Sequence, residues 1–163
     1  PDYEVELGVV IGRKGKYVNK SNALDYVAGY TVFNDISFRD WQVRTQSSMG
    51  MDWYHIKVPD SSTPVGPYLV TKDEIKDPYS LDLTLKVNGV VRQRGHTSDM
   101  IFGIEEIISE VSLGVKIVPG DLITTGTPAG IGHIRKSYLK DGDVVEAKVS
   151  GVGTLINPVK KEI

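Results

Sequence analysis

The sequence predicts a mixed, β-rich fold of the α+β class, formed by a single domain over residues 1–163. Apolar and β-branched runs recur along the chain, and several of them alternate with polar residues as half-buried strands do. The pair Asn88 and Gly89 separates two such runs, which is the strongest short hairpin signal in a sequence. Two short segments carry helical signals. An apolar fraction of 40% is typical of a globular protein with a sizeable core.

The first elements follow from these runs and from the residues that end them. We predict a strand over YEVELGVVIG that ends at Gly12. A short helix is predicted over SNALDYVAGY, with Ser21 as its N-cap and Gly29 as its C-terminal stop. Strand character returns in TVFND. Residues 37–63 are polar and show no clear period, so we interpret them as a long loop, and such loops in compact domains are often functional.

The second half of the chain carries the clearest local signals. We predict a hairpin over LDLTLKVNGVVRQRG, because its leucines and valines alternate with polar residues around the Asn-Gly pair. A helix is predicted over IEEIISEVSLG, ending at Gly114. Its apolar face consists of Ile104, Ile107, Ile108 and Val111. There follow a turn at PGD, a buried strand at LITTG, a loop at TPAGIG and two strands in DVVEAKVSGVGTLINPV.

Composition excludes several classes of protein. The net charge is −2 and the basic residues are scattered, which argues against a nucleic-acid partner. No apolar run is long enough to cross a bilayer, so we expect no membrane partner. The lack of cysteine excludes disulfides and is typical of a reducing compartment, and we expect a cytoplasmic location. Because the strand signal starts within two residues of Pro1, we also expect that a preceding N-terminal segment has been cut away or lies outside this sequence.

Acidic residues at the start of the chain form the candidate site. Glu4 and Glu6 are two residues apart on a predicted strand and therefore share one face. They could simply line the solvent face, but the strand is apolar beyond simple alternation, and Asp35 closes the next strand. Three carboxylates in a partly dry site would not all stay ionised unaided, and a divalent cation such as Mg²⁺ or Mn²⁺ would solve this. Without cysteine or paired histidines, zinc is disfavoured.

A family resemblance runs over nearly the whole chain. The blocks YEVELGVVIG, DYVAGYTVFNDISFRDWQ, PVGPYLVTKDEI, LKVNGVVRQRGHTSDMIF and PGDLITTGTPAGIG occur in this order. Together they resemble the catalytic domain of the fumarylacetoacetate hydrolase family. The resemblance implies a β-roll with short helices, a homodimer, and a site that binds Mg²⁺ or Mn²⁺. In a crystal, Ca²⁺ could occupy the same site. It also implies a small-molecule substrate, namely a 2-oxo acid or a 1,3-dicarbonyl compound.

The resemblance assigns a role to eight positions. It implies metal ligands at Glu4, Glu6 and Asp35, substrate-binding residues at Arg39, Gln42, Gly126 and Thr127, and a catalytic lysine at Lys57. The lysine lies in HIKVPD where the family usually has GKSFD, so both of its neighbours differ. Taken alone, Arg39 would suit a surface ion pair and Lys57 a solvated loop.

The resemblance implies chemistry through an enolate but leaves the reaction open. Our first hypothesis is a C–C bond hydrolase or an isomerase of aromatic-compound catabolism, of the 2-hydroxyhepta-2,4-diene-1,7-dioate isomerase or acylpyruvate hydrolase type. The alternatives are a 3-deoxy-2-oxo sugar acid dehydratase, an oxaloacetate decarboxylase, and a metal-stabilised binding domain without catalysis. Hydrolytic members activate water with a His and Glu pair that precedes the E-x-E strand, a region outside this sequence. His55 could replace that base, although none of the three histidines belongs to a recognisable triad.

Overall fold

The computed structural model describes residues 1–42 and 52–162, and their strands form two antiparallel sheets of four. In spatial order, the first sheet consists of β3 (Val65–Thr71), β2 (Val27–Asn34), β1 (Val5–Ile11) and β6 (Leu122–Thr124). The second sheet consists of β5 (Val90–His96), β4 (Asp82–Val87), β7 (Val144–Val149) and β8 (Gly153–Pro158). The fold is therefore β-rich, as predicted.

Short helices complete this part of the chain. They are α1 (Arg39–Gln42), α2 (Trp53–Lys57), α3 (Ile104–Gly114) and α4 (Gly132–Arg135), together with 3₁₀ helices at Lys20–Tyr26 and Thr97–Asp99. Across residues 1–42 and 52–162, no helix is long and apolar enough to span a membrane.

The core lies between the two sheets. On β1 the odd-numbered side chains, such as Val5 and Leu7, are fully buried against apolar residues of β4 and β7, such as Leu85 and Ala147. Each aliphatic side chain buried in this way contributes about 1.5–3 kcal/mol to folding. Because these odd positions face the core, the even positions of β1 face the other side of the sheet.

Two local predictions are confirmed. β4 and β5 are joined at Asn88 and Gly89, whose positive φ angles of 51° and 77° suit a two-residue hairpin turn. Helix α3 spans the predicted residues, and its face with Ile104 and Ile108 is buried.

Several boundary predictions are wrong. The first helical segment is capped by Asn19, whose side chain accepts a hydrogen bond from the Ser21 N–H at 3.1 Å, so Ser21 is not the N-cap. Gly29 does not stop a helix but lies inside β2, where a Cβ atom would collide with the Val70 carbonyl of β3. The segment 37–63 contains α1 and α2 instead of being loop throughout, and its residues 43–51 lie outside the described residues.

The pairing of β1 with β2 positions the site. Glu6 lies opposite Phe33 within the ladder, and the same register continues beyond the strand ends. The Asp35 N–H donates to the Glu4 carbonyl at 2.8 Å, and Asp2 forms a bridge with Ser37. Since directly opposed residues of an antiparallel pair point to the same face, Asp35 and Ser37 join the glutamates on the face away from the core.

Candidate metal centre

Three carboxylates converge at the N-terminal end of β1. Glu4, Glu6 and Asp35 each offer an oxygen atom, and these oxygen atoms lie within 4.8 Å of one another. Glu4 is 8% exposed and Glu6 only 3%, so the glutamate face of the strand is covered instead of lining the solvent. Carboxylate oxygens this close together are the donor set that would hold one Mg²⁺ or Mn²⁺ ion.

Lys57 reaches this cluster from α2. Its Nζ atom lies 2.8 Å from Oε2 of Glu4 and 2.6 Å from Oδ2 of Asp35, and it also donates to Oγ of Ser37 at 2.7 Å. The neighbour Ile56 is fully buried, and its carbonyl accepts from the Phe38 N–H at 3.0 Å. This packing holds α2 next to the residues that precede α1 and directs Lys57 at the carboxylates.

Arg39 contacts the same cluster from α1. Its Nε donates to Oδ2 of Asp2 at 3.1 Å, and its Nη2 donates to Oε1 of Glu4. The substrate-binding role expected for Arg39 stays a prediction, since only the remaining N–H groups of its guanidinium could meet a substrate.

The charges of this region do not cancel. With every group ionised, the carboxylates outnumber the cations by two, which is the charge of one divalent cation. The groups counted are Asp2, Glu4, Glu6, Asp35, Arg39 and Lys57. A donor set of carboxylate oxygens suits Mg²⁺ or Mn²⁺, so the residues present fit the metal that the resemblance implies.

Burial is the main cause of the shifted pKa values of two of these carboxyl groups. Burial raises the pKa of Glu6 to about 7; the hydrogen bond from the Gly126 N–H opposes the rise, and the charges of Asp35 and Glu4 add to it. Burial also raises the pKa of Asp35, against the opposing hydrogen bond and charge of Lys57. A cation between these groups would favour their ionised forms.

The loop after β6 forms one wall of the site. The Gly126 N–H donates to Oε2 of Glu6 at 2.7 Å. Gly126 has a φ of +93°, and a Cβ built on it would meet nothing within 4 Å, so this side of the loop adjoins open space. Thr127 Oγ1 instead donates to the Val5 carbonyl at 2.9 Å and accepts from Gln93 Nε2 at 2.9 Å. Carboxylate and ketone oxygens only accept, so the hydroxyl can donate to them only by releasing Val5.

Two further predicted residues, Gln42 and His55, lie on α1 and α2. Gln42 is the last residue of α1, and its role in substrate binding stays a prediction. The His55 ring is half-exposed, hydrogen-bonds Asp52 at 2.5 Å and stacks on Trp41. Lys57 is two residues further along the same helix, so the two side chains leave α2 on nearly opposite sides.

Sequence reasoning missed two buried polar residues. Asp2 is fully buried and accepts from the backbone N–H groups of Gly132 and His133 at 2.6 and 2.9 Å, which ties α4 to the start of the site. Gln93 is 1% exposed on β5 and bonds to β1 and to the loop after β6. The two-residue spacing from Asp2 to Glu4 was an available signal for Asp2, whereas the register shift between Leu85 and Lys86 that places Gln93 opposite Leu85 is not visible in the sequence.

Comparisons with known proteins agree with the geometry. The sequence model of the fumarylacetoacetate (FAA) hydrolase C-terminal region matches residues 1–160. The mitochondrial oxaloacetate tautomerase FAHD2A of Homo sapiens is 47% identical over 160 residues, covering 97% of this chain and 50% of that protein. The chain thus spans about half the length of the curated relatives that it matches.

Solved structures give the same result. The 2-hydroxyhepta-2,4-diene-1,7-dioate isomerase of Mycobacterium marinum is 42% identical with a TM-score of 0.87, covering 99% of this chain and 59% of that one. The fumarylpyruvate hydrolase of Pseudomonas aeruginosa, solved with Mn²⁺ and pyruvate, is 33% identical with a TM-score of 0.89, covering 99% and 66%. These relatives are named as a tautomerase, an isomerase and a hydrolase. The expectations of a homodimer and of a cytoplasmic location stay predictions.

Proposed function

The chain belongs to the fumarylacetoacetate hydrolase family, and from this premise we propose that it catalyses proton transfer in 2-oxo acids, interconverting their keto and enol forms at a divalent-metal centre. This proposal departs from the first hypothesis drawn from the sequence, an isomerase or hydrolase of aromatic-compound catabolism, in which oxaloacetate entered only as the substrate of an alternative decarboxylase. Oxaloacetate is the first substrate to test, because relatives that are 44–47% identical to this chain are named oxaloacetate tautomerases.

The position of Lys57 is the observation that carries the proposal. Its ammonium group lies within 2.8 Å of oxygen atoms of both Glu4 and Asp35, so a group able to donate a proton, or to accept one as the amine, adjoins the carboxylate cluster. Conversion of the enol to the ketone moves one proton from the 2-hydroxyl oxygen to carbon 3, and the reverse reaction moves it back. Lys57 as the ammonium would donate a proton to carbon 3, and the amine so formed would take the proton of the 2-hydroxyl, which restores the ammonium; the reverse reaction would run through the same two transfers.

The other residues would hold and orient the acid. Glu4, Glu6 and Asp35 would hold Mg²⁺ or Mn²⁺, which when bound supplies positive charge that stabilises negative charge on substrate oxygen atoms. The outer N–H groups of Arg39 would bind a substrate carboxylate, since a guanidinium edge matches its two oxygen atoms. Gly126 would let the substrate approach the loop backbone, because nothing fills the space that a side chain would take.

Hydrolysis makes a further demand on the site. Water must be activated by a base, and the histidine rings in the described part of the chain have other partners. His55 bonds to Asp52, His96 to Ser98 and His133 to Tyr138. Each of these bonds is made through Nδ1, and an imidazole bonded there still accepts a proton at Nε2, so the choice between tautomerisation and C–C bond hydrolysis rests on the assay below.

One assay series separates these activities. Freshly dissolved enol oxaloacetate is mixed with the chain and Mn²⁺ or Mg²⁺, and the enol absorbance and pyruvate release are followed together. We expect faster loss of the enol without pyruvate release. Pyruvate release would instead indicate decarboxylation, and cleavage of an acylpyruvate would indicate hydrolysis. Titration of Mn²⁺ with and without oxalate, a planar enolate mimic, tests the site itself, and failure to bind Mn²⁺ would overturn the proposal.

A further inference from the structure

Two threonine side chains extend the pairing of β6 beyond its last residue. The ladder pairs Gly8 with Thr124, and the same register would place Thr125 opposite Leu7 and Thr127 opposite Val5. The backbone leaves the sheet here, but both hydroxyls donate to these β1 carbonyls at 2.9 Å. Because buried backbone groups need partners, the hydroxyls take the place of a paired strand, which the described part of the chain does not supply here.

Gln93 completes this arrangement from the second sheet. Its Oε1 accepts from the Val5 N–H at 3.1 Å, and its Nε2 donates to Thr127 Oγ1 at 2.9 Å and to the Pro128 carbonyl at 2.8 Å. Both backbone polar groups of Val5 are therefore held by side chains. Val5 is the residue between Glu4 and Glu6, so its backbone sets the separation and direction of the two glutamates.

We infer that Gln93 and Thr127 are positioning residues that clamp Val5 and thereby hold Glu4 and Glu6 in the geometry that binds the metal. This inference rests on the metal site of the proposed function. Carboxylates that repel each other need a rigid backbone to stay together, and within residues 1–42 and 52–162 no strand pairs with this end of β1 on its β6 side. Thr127 donates its hydroxyl hydrogen to the Val5 carbonyl, between the two glutamates. While this bond is in place, the hydroxyl has no hydrogen to donate to a substrate oxygen that only accepts.

Thr125 provides a matched control. Thr127→Val and Thr125→Val each remove one hydroxyl, keep a β-branched side chain and leave one β1 carbonyl without its donor. We expect both variants to lower the midpoint of thermal unfolding similarly. We expect only Thr127→Val to weaken Mn²⁺ binding by about tenfold or more, the range found when outer partners of metal ligands are lost. Calorimetric titration with Mn²⁺ measures this without reference to activity, and Thr127→Ser should restore the affinity.

The outcomes separate this inference from the proposed function. If the parent chain binds no Mn²⁺, the metal site fails and the inference falls with it. If the parent binds Mn²⁺ and Thr127→Val binds it equally well, or Thr125→Val loses as much affinity, the metal site stands and the clamp is refuted. If Thr127→Val does not fold, Gln93→Met is compared with Thr125→Val in its place. If both Gln93→Met and Thr127→Val fold, the double variant should lose no more Mn²⁺ affinity than either single variant, because the two substitutions break the same hydrogen-bonded unit.

Discussion

The ammonium group of Lys57 lies 2.6 Å from Oδ2 of Asp35, although the lysine belongs to α2 and the aspartate follows β2. The same group also reaches Glu4, so one cation bridges two of the three carboxylates of the metal centre. Lys57 and a metal ion held by these carboxylates would therefore act on the same charges, and mutation of the lysine would separate their effects.

Lys57→Met should slow tautomerisation without loss of metal. The substitution removes the proton carrier, which is typically worth about 10²–10⁴-fold in rate. It also removes a cation from the carboxylates, so Mn²⁺ should bind at least as tightly as in the parent. Enol decay and Mn²⁺ calorimetry measure the two effects, and Lys72→Met, an exposed lysine, is the control. Full activity of Lys57→Met would refute the assigned role.

Glu6→Gln should abolish tight metal binding. Loss of outer partners of ligands already costs about 10–100-fold in affinity, so loss of a direct ligand should cost at least about 100-fold. The exposed Glu110 of α3 offers the matched substitution Glu110→Gln, which should bind Mn²⁺ like the parent. Unchanged affinity in Glu6→Gln would remove Glu6 from the centre.

Metal binding should weaken as the pH falls through about 7. Burial raises the pKa of Glu6 to that value, so protons compete with the cation for this carboxylate below it. Mn²⁺ titrations at several pH values measure the dependence. An affinity that is constant between pH 5 and pH 8 would contradict it.

The same pKa shift predicts how metal-free stability varies with pH. Between the ordinary glutamate pKa of 4.5 and about 7, the folded chain holds a proton on Glu6 that the unfolded chain has lost. The folded state binds more protons in this window, so the free energy of unfolding contributed by Glu6 falls as the pH rises. Urea denaturation of the parent and Glu6→Gln, with chelator present, should show a shallower pH slope in the variant.

Arg39→Ala should destabilise the fold as well as weaken substrate binding. It leaves the fully buried Asp2 without its cation, and breaking a buried pair in this way costs about 3 kcal/mol. Lys20→Ala breaks the exposed pair with Glu106 and should cost at most about 1 kcal/mol. Urea denaturation compares the two variants, and equal stabilities would show that the Asp2 pair contributes little.

The structural features predicted correctly from the sequence are those that depend only on residues close together in the chain. The hairpin at Asn88 and Gly89 and the span of α3 are set by turn chemistry and by periodicity over a few residues, and both are as predicted. The helix stop at Gly29 was wrong because the glycine meets a requirement of β3, which lies some 40 residues further along the chain.

Most residues of the candidate site were predictable from the sequence, but their hydrogen-bond partners were not. Glu4, Glu6 and Asp35 were singled out by their positions on two predicted strands, Lys57 was added by the resemblance, and the structure brings the four together. The partners of Asp2 lie up to 131 residues away in the chain, and a single sequence does not reveal pairings at that range.

β1 carries the core on one face and the metal centre on the other, and both are built on the same four backbone units from Glu4 to Leu7. Evolution and design therefore cannot improve one face of this segment without the other responding. A substitution that repacks Val5 or Leu7 should therefore also shift Glu4 and Glu6, even though neither apolar side chain faces the carboxylates. The apolar side chains of this segment are accordingly under a second constraint, which is the spacing of the two glutamates on the opposite face.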